Sequence, residues 1–238
     1  MVPFLTEPLS IKLPYTDVVA FQCYFDVDAF TIEQALILPI PFPAQLMHAV
    51  KRRQAAYFAG RNCARYALLR LNAETTHVLK GEKQQPLWPN GQNGQKLGGS
   101  ITHSGNIALC IAAEQNNMSH LGIDIEQHMT EKVAKEIENT VINKVEKQRL
   151  TAVDLEFAEA LTLIFSAKET IFKALFYDIG DYFSFDAAEL LYLDLDSCIA
   201  RFSLTTTLTS IWPQGSEIDI HFQRFSEHVL TYHVQQNV

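Results

Sequence analysis

Residues Leu121 to Glu126 change character at every step: Leu121, Ile123 and Ile125 are apolar, and Gly122, Asp124 and Glu126 lie between them. A repeat of two is the period of a half-buried strand, because successive side chains leave a strand on opposite faces. Asp124 and Glu126 are therefore aimed together at one spot. Two carboxylates held that close repel unless a cation sits between them, and an all-oxygen set of this kind suits a hard ion such as Mg²⁺. A strand whose outer face merely carries two acids would show the same pattern.

A different period governs the chain further on. Leu161, Ile164, Phe165, Phe172 and Leu175 recur at helical spacing, which predicts an amphipathic helix over Phe157 to Phe176. Glu169 and Lys173 are four apart on it and share a face, whereas Lys168 points about a hundred degrees around from Glu169. An ion pair on a solvated helix accounts for that spacing. So does a site in which Glu169 is a third carboxylate for Mg²⁺ and the lysines meet phosphate oxygens. Periodicity alone does not choose.

The 238 residues allow one large domain or two small ones, and 47% hydrophobic with 19% charged residues is the balance of a soluble globule. No apolar run is long enough for a transmembrane segment, and the start, Met-Val-Pro-Phe, has no signal-peptide character. Cys23, Cys63, Cys110 and Cys198 are scattered, which predicts reduced thiols and a cytoplasmic protein. A net charge of −8 speaks against nucleic acid as a partner. The sign is not uniform, however: Lys51, Arg52, Arg53, Arg61, Arg65 and Arg70, six of the 19 basic residues, fall in one stretch without an acid. This is either a local anion site or a solvated face partnered elsewhere.

In chain order, residues 1–43 hold six of the nine prolines and predict loops around one strand, Val19 to Val27. A long helix follows near Ala44 to Leu71, on which Arg53 and Arg61 fall within a quadrant of each other. His77 to Gly99, with five glycines and two prolines, predicts a loop. Strand content resumes over Ile101 to Ala113, broken by a turn at Ser104 to Asn106, and His103 closes its first portion. Met129 to Thr151 predicts surface helix and loop. Asp178 and Gly180 end the second helix, and alternation at Phe202 to Leu208, Ile218 to Phe222 and Leu230 to Val234 predicts an antiparallel meander.

Five segments, in this order and spacing, carry a resemblance. They are Arg53 with Ala-Gly-Arg-Asn-Cys-Ala-Arg (59–65), Lys80-Gly with Pro-Leu-Trp-Pro (86–89), Gly-Ser-Ile-Thr-His-Ser (99–104), Gly-Ile-Asp-Ile-Glu (122–126) and Phe-Ser-Ala-Lys-Glu-Thr-Ile-Phe-Lys (165–173). Over roughly residues 53–173 the chain resembles the 4′-phosphopantetheinyl transferases, in the branch of the enterobactin synthase component D kind. Two departures are Phe165, where many relatives have Trp, and Thr170, where Ser or Ala is usual.

The resemblance implies an α+β fold, a pseudo-dimer of two similar halves, each a helix packed on a small antiparallel sheet, with the active site between them. The expected halves are 1–118 and 119–238, and such a pseudo-dimer would act as a monomer. It implies that Asp124, Glu126 and Glu169 hold Mg²⁺, and that Glu169 and Lys173 are catalytic. It further implies that coenzyme A is bound by Arg53, Arg61, Lys80, Ser100, Thr102, His103, Asp124, Lys168 and Lys173, with Lys83 a second candidate beside Lys80. The expected partner is an apo acyl, aryl or peptidyl carrier protein, received near the Lys168 helix. Two other classes of function are compatible with parts of the pattern. A non-catalytic module would need only the arginine pair, and a Mg²⁺-dependent pyrophosphate hydrolase would share the three acids.

Overall fold

The structure, a computed structural model, describes residues 3–236. It divides into two compact units, residues 3–121 with 235–236 and residues 122–234, so the boundary lies between Leu121 and Gly122, a little after the expected Met118. The fold is α+β, with antiparallel sheets and one long helix in each unit.

In the first unit the strands are β1 (Leu9–Ile11), β2 (Val19–Tyr24), the two-residue β3 (Leu79–Lys80) and β4 (Pro86–Leu87), β5 (Leu97–Ser104) and β6 (Ile107–Glu114). The helices are α1 (Ile32–Ile37) and α2 (Lys51–Arg70). The sheet runs β1-β2-β6-β5, antiparallel throughout, and α2 packs on β2, β5 and β6. Its core joins Phe58, Cys63 and Leu68 of the helix to Cys23, Ala108, Cys110 and Ala112 of the sheet.

Two expectations are corrected here. The helix does not begin at Ala44: Ala44–Leu46 is a single 3-10 turn, Val50 is extended, and α2 starts at Lys51. The buried Gln54 explains the break, since its Nε2 donates to the carbonyls of Leu46 (2.9 Å) and Met47 (3.1 Å). A continuous helix would have given those carbonyls to backbone amides four residues on. The glycine pair Gly98-Gly99 is strand, not loop. A Cβ on Gly99 would stand 2.3 Å from the Ile111 carbonyl and 2.7 Å from the Trp88 ring, so the glycine records close approach rather than a turn.

The second unit is entered through β7 (Met118–Gln127). It continues with α3 (Glu131–Val141), α4 (Lys144–Thr151), α5 (Phe157–Ile179), β8 (Ala188–Asp194), β9 (Ile199–Leu204), β10 (Glu217–Arg224) and β11 (His228–Gln236). The sheet order β7-β11-β10-β9-β8 contains the expected meander, with β8 as a strand the alternation did not reveal. Helix α5 buries Leu161, Ile164, Ile171 and Leu175 in a core shared with Phe202, Ile220 and Phe222, and Gly180 in the left-handed region (φ 67°) ends it. Among the described residues no helix is long and apolar enough to cross a membrane.

Strand β7 is not half-buried as expected: every residue from Leu121 to Ile125 is buried. On its polar face Gly122 lies against α5, where an added Cβ would stand 2.3 Å from the Thr170 carbonyl and 3.0 Å from Ala174 Cβ. Helix and strand thus meet backbone to backbone. Gly122→Ala is expected to cost about 1–3 kcal/mol through this overpacking, read as a lower urea midpoint at unchanged slope; an unchanged midpoint would show that the contact is not tight.

Candidate functional site

Gly122, Asp124 and Glu126 share one face of β7, so the contact at Gly122 brings Asp124 under α5. Asp124 is 2% exposed. Its Oδ1 accepts from Lys173 Nζ at 2.5 Å and its Oδ2 from Ser166 Oγ at 2.8 Å. Lys173 also lies 3.4 Å from the Ile123 carbonyl. Ser166 and Lys173 are seven residues apart on α5, two turns on one face, and they grip the carboxylate from its two oxygens. Glu169 stands between them in sequence. Burial pushes the Glu169 carboxyl above its ordinary pKa, the Lys173 ammonium pulls it down, and the Asp124 charge adds a further upward push.

Glu126 is half-buried on the same strand face. As they stand, among the described residues, no three His, Cys, Asp or Glu side chains are gathered in metal-binding geometry. The chemistry of the donors nonetheless fits a hard divalent cation. All are carboxylate oxygens, and Asp124 and Glu169 are close enough that the charge of one makes ionisation of the other costlier.

The neighbouring lysine goes elsewhere. Lys168 is 3% exposed, and its Nζ donates to Glu146 Oε1 and to the Val141 carbonyl, both at 2.8 Å. Glu146 is as deeply buried. It also accepts from the backbone amides of Asn143 (2.9 Å) and Leu190 (2.8 Å), closing a capping box at the start of α4 and tying that helix to β8. Lys168 and Glu169, adjacent in sequence, both line the cleft beside α5, but the Lys168 ammonium is committed to Glu146 and Val141 while Glu169 lies near Lys173 and Asp124.

In the first unit, Arg53 and Arg61 of α2 and Lys80 of β3 share a neighbourhood. Burial, and then the charges of Arg53 and Arg61, hold the Lys80 ammonium below its ordinary pKa. A lysine whose charge is disfavoured beside two guanidiniums is ready for an anion. Arg53, Tyr57, Lys80, Gln84 and His48 line a cleft of about 350 Å³, and the Arg61 guanidinium lies over the Tyr57 ring, 5.1 Å from its centroid. On β5, alternation sends His103 and Ile101 to the face that meets α2, while Ser100 and Thr102, both buried, point to the opposite face. The histidine motif is thus one strand but not one surface.

Sequence reasoning overlooked several residues. Thr162, Ser166 and Thr170 recur every four positions along α5 as a buried hydroxyl stripe, a signal that was available. Glu146 and Thr231 had no local signal. Nor did the aromatic cleft beside Glu169, of about 600 Å³, lined by Phe172, Tyr182, Phe183 and Phe185.

Residues 42–113 match the family model described as the 4′-phosphopantetheinyl transferase N-terminal domain, and residues 120–233 that of the 4′-phosphopantetheinyl transferase superfamily. Enterobactin synthase component D of Salmonella typhi is 37% identical over 169 residues, 71% of this chain and 68% of that protein. The component D of Escherichia coli K12 is 39% identical over 138 residues, 58% and 62% of the two chains. The 4′-phosphopantetheinyl transferase PptT of Mycobacterium tuberculosis is 26% identical over 164 residues, 66% of each. The matched part thus spans about three fifths to two thirds of these relatives. With both family models met in order and the Asp124, Glu169 and Lys173 side chains brought together, the chain belongs to the 4′-phosphopantetheinyl transferase superfamily, in the branch of enterobactin synthase component D.

Proposed function

We propose that this protein moves 4′-phosphopantetheine from coenzyme A to a serine hydroxyl of an apo acyl, aryl or peptidyl carrier protein, in the making of a siderophore or another secondary metabolite. The observation that carries this reading is the buried Asp124 carboxylate, gripped by Lys173 and Ser166 next to a Glu169 whose carboxyl is pushed up. The serine oxygen would attack the phosphorus that bears the pantetheine. The bond to the second phosphate breaks, adenosine 3′,5′-bisphosphate leaves, and the serine proton passes to a base.

Glu169 is that base in this reading: burial raises its carboxyl pKa toward the range in which it takes a proton, a rise that a bound Mg²⁺ would oppose. Lys173 would stabilise the negative charge of the leaving phosphate. Asp124, Glu126 and Glu169 would hold Mg²⁺, which when bound would offset charge on the diphosphate. Arg53, Arg61, Lys80 and His103 would receive the remaining phosphates of coenzyme A, where guanidinium forks fit well. Ser100 and Thr102 would support the strand that presents His103. Lys168 enters this reading as a brace between α5, α4 and β8, since its ammonium is committed to Glu146 and Val141. The four free thiols suit a reducing compartment.

Incubation with apo carrier protein, coenzyme A and Mg²⁺ should raise the carrier's mass by one phosphopantetheine. Free adenosine 3′,5′-bisphosphate without that gain would select pyrophosphate hydrolysis instead, and neither product would leave a binding module. Glu169→Ala and Glu126→Ala should abolish transfer with the fold intact, and full activity in either would refute the metal assignment. The two lysines should separate. Lys173→Ala should depress kcat more than coenzyme A affinity. Lys168→Ala should cost about 3–5 kcal/mol of stability by stranding Glu146, and a fully stable Lys168→Ala with weakened coenzyme A binding would return this lysine to the cofactor.

A further inference from the structure

Ser166, Thr170 and Thr231 are each 0% exposed, and the reading above gives them no chemical task of their own. Buried hydroxyls need partners, and here the partners impose a direction. Ser166 Oγ donates to Asp124 Oδ2 at 2.8 Å. A serine has one proton, so in its 2.8 Å contact with Thr231 the serine accepts and Thr231 donates. Thr231 Oγ1 has then spent its own proton. In the 2.7 Å contact with Thr170 it accepts, and Thr170 has the Thr231 carbonyl, at 3.3 Å, as a second acceptor. A carboxylate with no proton to offer therefore orients the whole series, Thr170 to Thr231 to Ser166 to Asp124.

We propose that this oriented hydroxyl chain, together with Lys173 on the other oxygen, fixes the plane of the Asp124 carboxylate. Ser166, Thr170 and Thr231 are then positioning residues for the divalent cation that Asp124 would ligate. The inference rests on the reading of Asp124 as a ligand. Hydrogen bonds to a ligating carboxylate from behind govern how it presents its free lone pairs, and bonds in series strengthen one another. The three hydroxyls come from two elements, α5 and β11, which explains why a helix otherwise rich in apolar residues keeps polar groups against the sheet.

Thr231 offers a test in which packing and hydrogen bonding pull apart. Thr231→Val keeps the volume and removes the hydroxyl, whereas Thr231→Ser keeps the hydroxyl and leaves a void of one methyl. The full chain would be titrated with Mn²⁺ in the presence of coenzyme A by electron spin resonance, since Mn²⁺ accepts the same oxygen ligands as Mg²⁺. Tm and the Mg²⁺ concentration for half-maximal transfer would be measured alongside. Thr231→Ser should lose Tm but bind Mn²⁺ like the wild type. Thr231→Val should weaken Mn²⁺ binding and raise the Mg²⁺ requirement about tenfold, with KM for coenzyme A unchanged. Ser166→Ala, which removes the last donor, should reproduce that loss if Thr231→Val fails to fold. Normal Mn²⁺ binding in Thr231→Val, or an equal loss in both Thr231 variants that follows Tm, would overturn the chain and leave a packing network. A wild type that binds Mn²⁺ but transfers nothing would sink the transfer reading while the Thr231 pair still decides the chain. A wild type that binds no Mn²⁺ would overturn both.

Discussion

A carboxylate with 2% of its surface exposed is a liability unless its charge is answered where it sits. Asp124 is answered twice, by an ammonium at one oxygen and a hydroxyl at the other, and both come from α5. Neither could reach it if the helix stood at an ordinary distance from the strand. The missing side chain at Gly122 is what lets α5 approach, so the glycine two residues before the acid is part of the acid's solvation. Taken by itself the pair is a weak source of stability, since the cost of burying Asp124 offsets much of its attraction to the part-exposed Lys173. It does fix a position. Once Asp124 is charged and buried, only one register of α5 on β7 supplies both partners, and that register puts Glu169 beside it.

The same helix is held from a second side by another buried ion pair. Lys168 and Glu146 lie two percent exposed at their side chains, 2.8 Å apart. Through Glu146 the lysine reaches the first turn of α4 and the backbone of β8. Consecutive side chains on a helix diverge by about a hundred degrees, so although Lys168 and Glu169 both line the aromatic cleft, their charged ends go different ways. The lysine ties α5 to α4 and β8 through Glu146, and the glutamate stands beside Asp124 and Lys173. A motif that looks like a single unit in sequence is, in space, a brace and, on the proposed reading, a reactive group with a common backbone.

That division explains what the sequence could and could not reveal. The strand at β7, the helix at α5 with its glycine stop, and most of the C-terminal meander follow from periods of two and of 3.6, which are local properties. The adjacency of Asp124 to Lys173 and Glu169 was legible only as a pattern of residue types shared with a family. The partner of Lys168 was not legible at all, because Glu146 lies in a segment whose charges resemble a solvated surface, and nothing local says that one of them is buried. The hydroxyl stripe of Thr162, Ser166 and Thr170 was visible, yet small polar residues on a helix are ordinary and only the depth of burial gives them meaning. The start of α2 failed for a related reason. Pro43 is a fair opening signal, but the side chain of Gln54, the fourth residue of α2, claims the carbonyls that a continuous helix would need.

The charges of the two units are complementary in kind to what each would bind. In the first unit α2 opens with Lys51, Arg52 and Arg53, has no acid in its first turn and no side-chain cap, although the dipole at that end disfavours cations. Lys51 is drawn off to the Asp28 carbonyl at 2.9 Å, while Arg53 and Arg61 depress the Lys80 ammonium. In the second unit burial, and with it the Asp124 charge, raises the Glu169 carboxyl against the pull of Lys173. Each set of like charges costs the isolated protein some stability, and on the proposed reading each cost would be relieved by a ligand of opposite sign, phosphates in one case and a divalent cation in the other. If the substrate carries phosphates and binds together with a metal ion, as proposed, the repulsion held in the free state would be returned on binding.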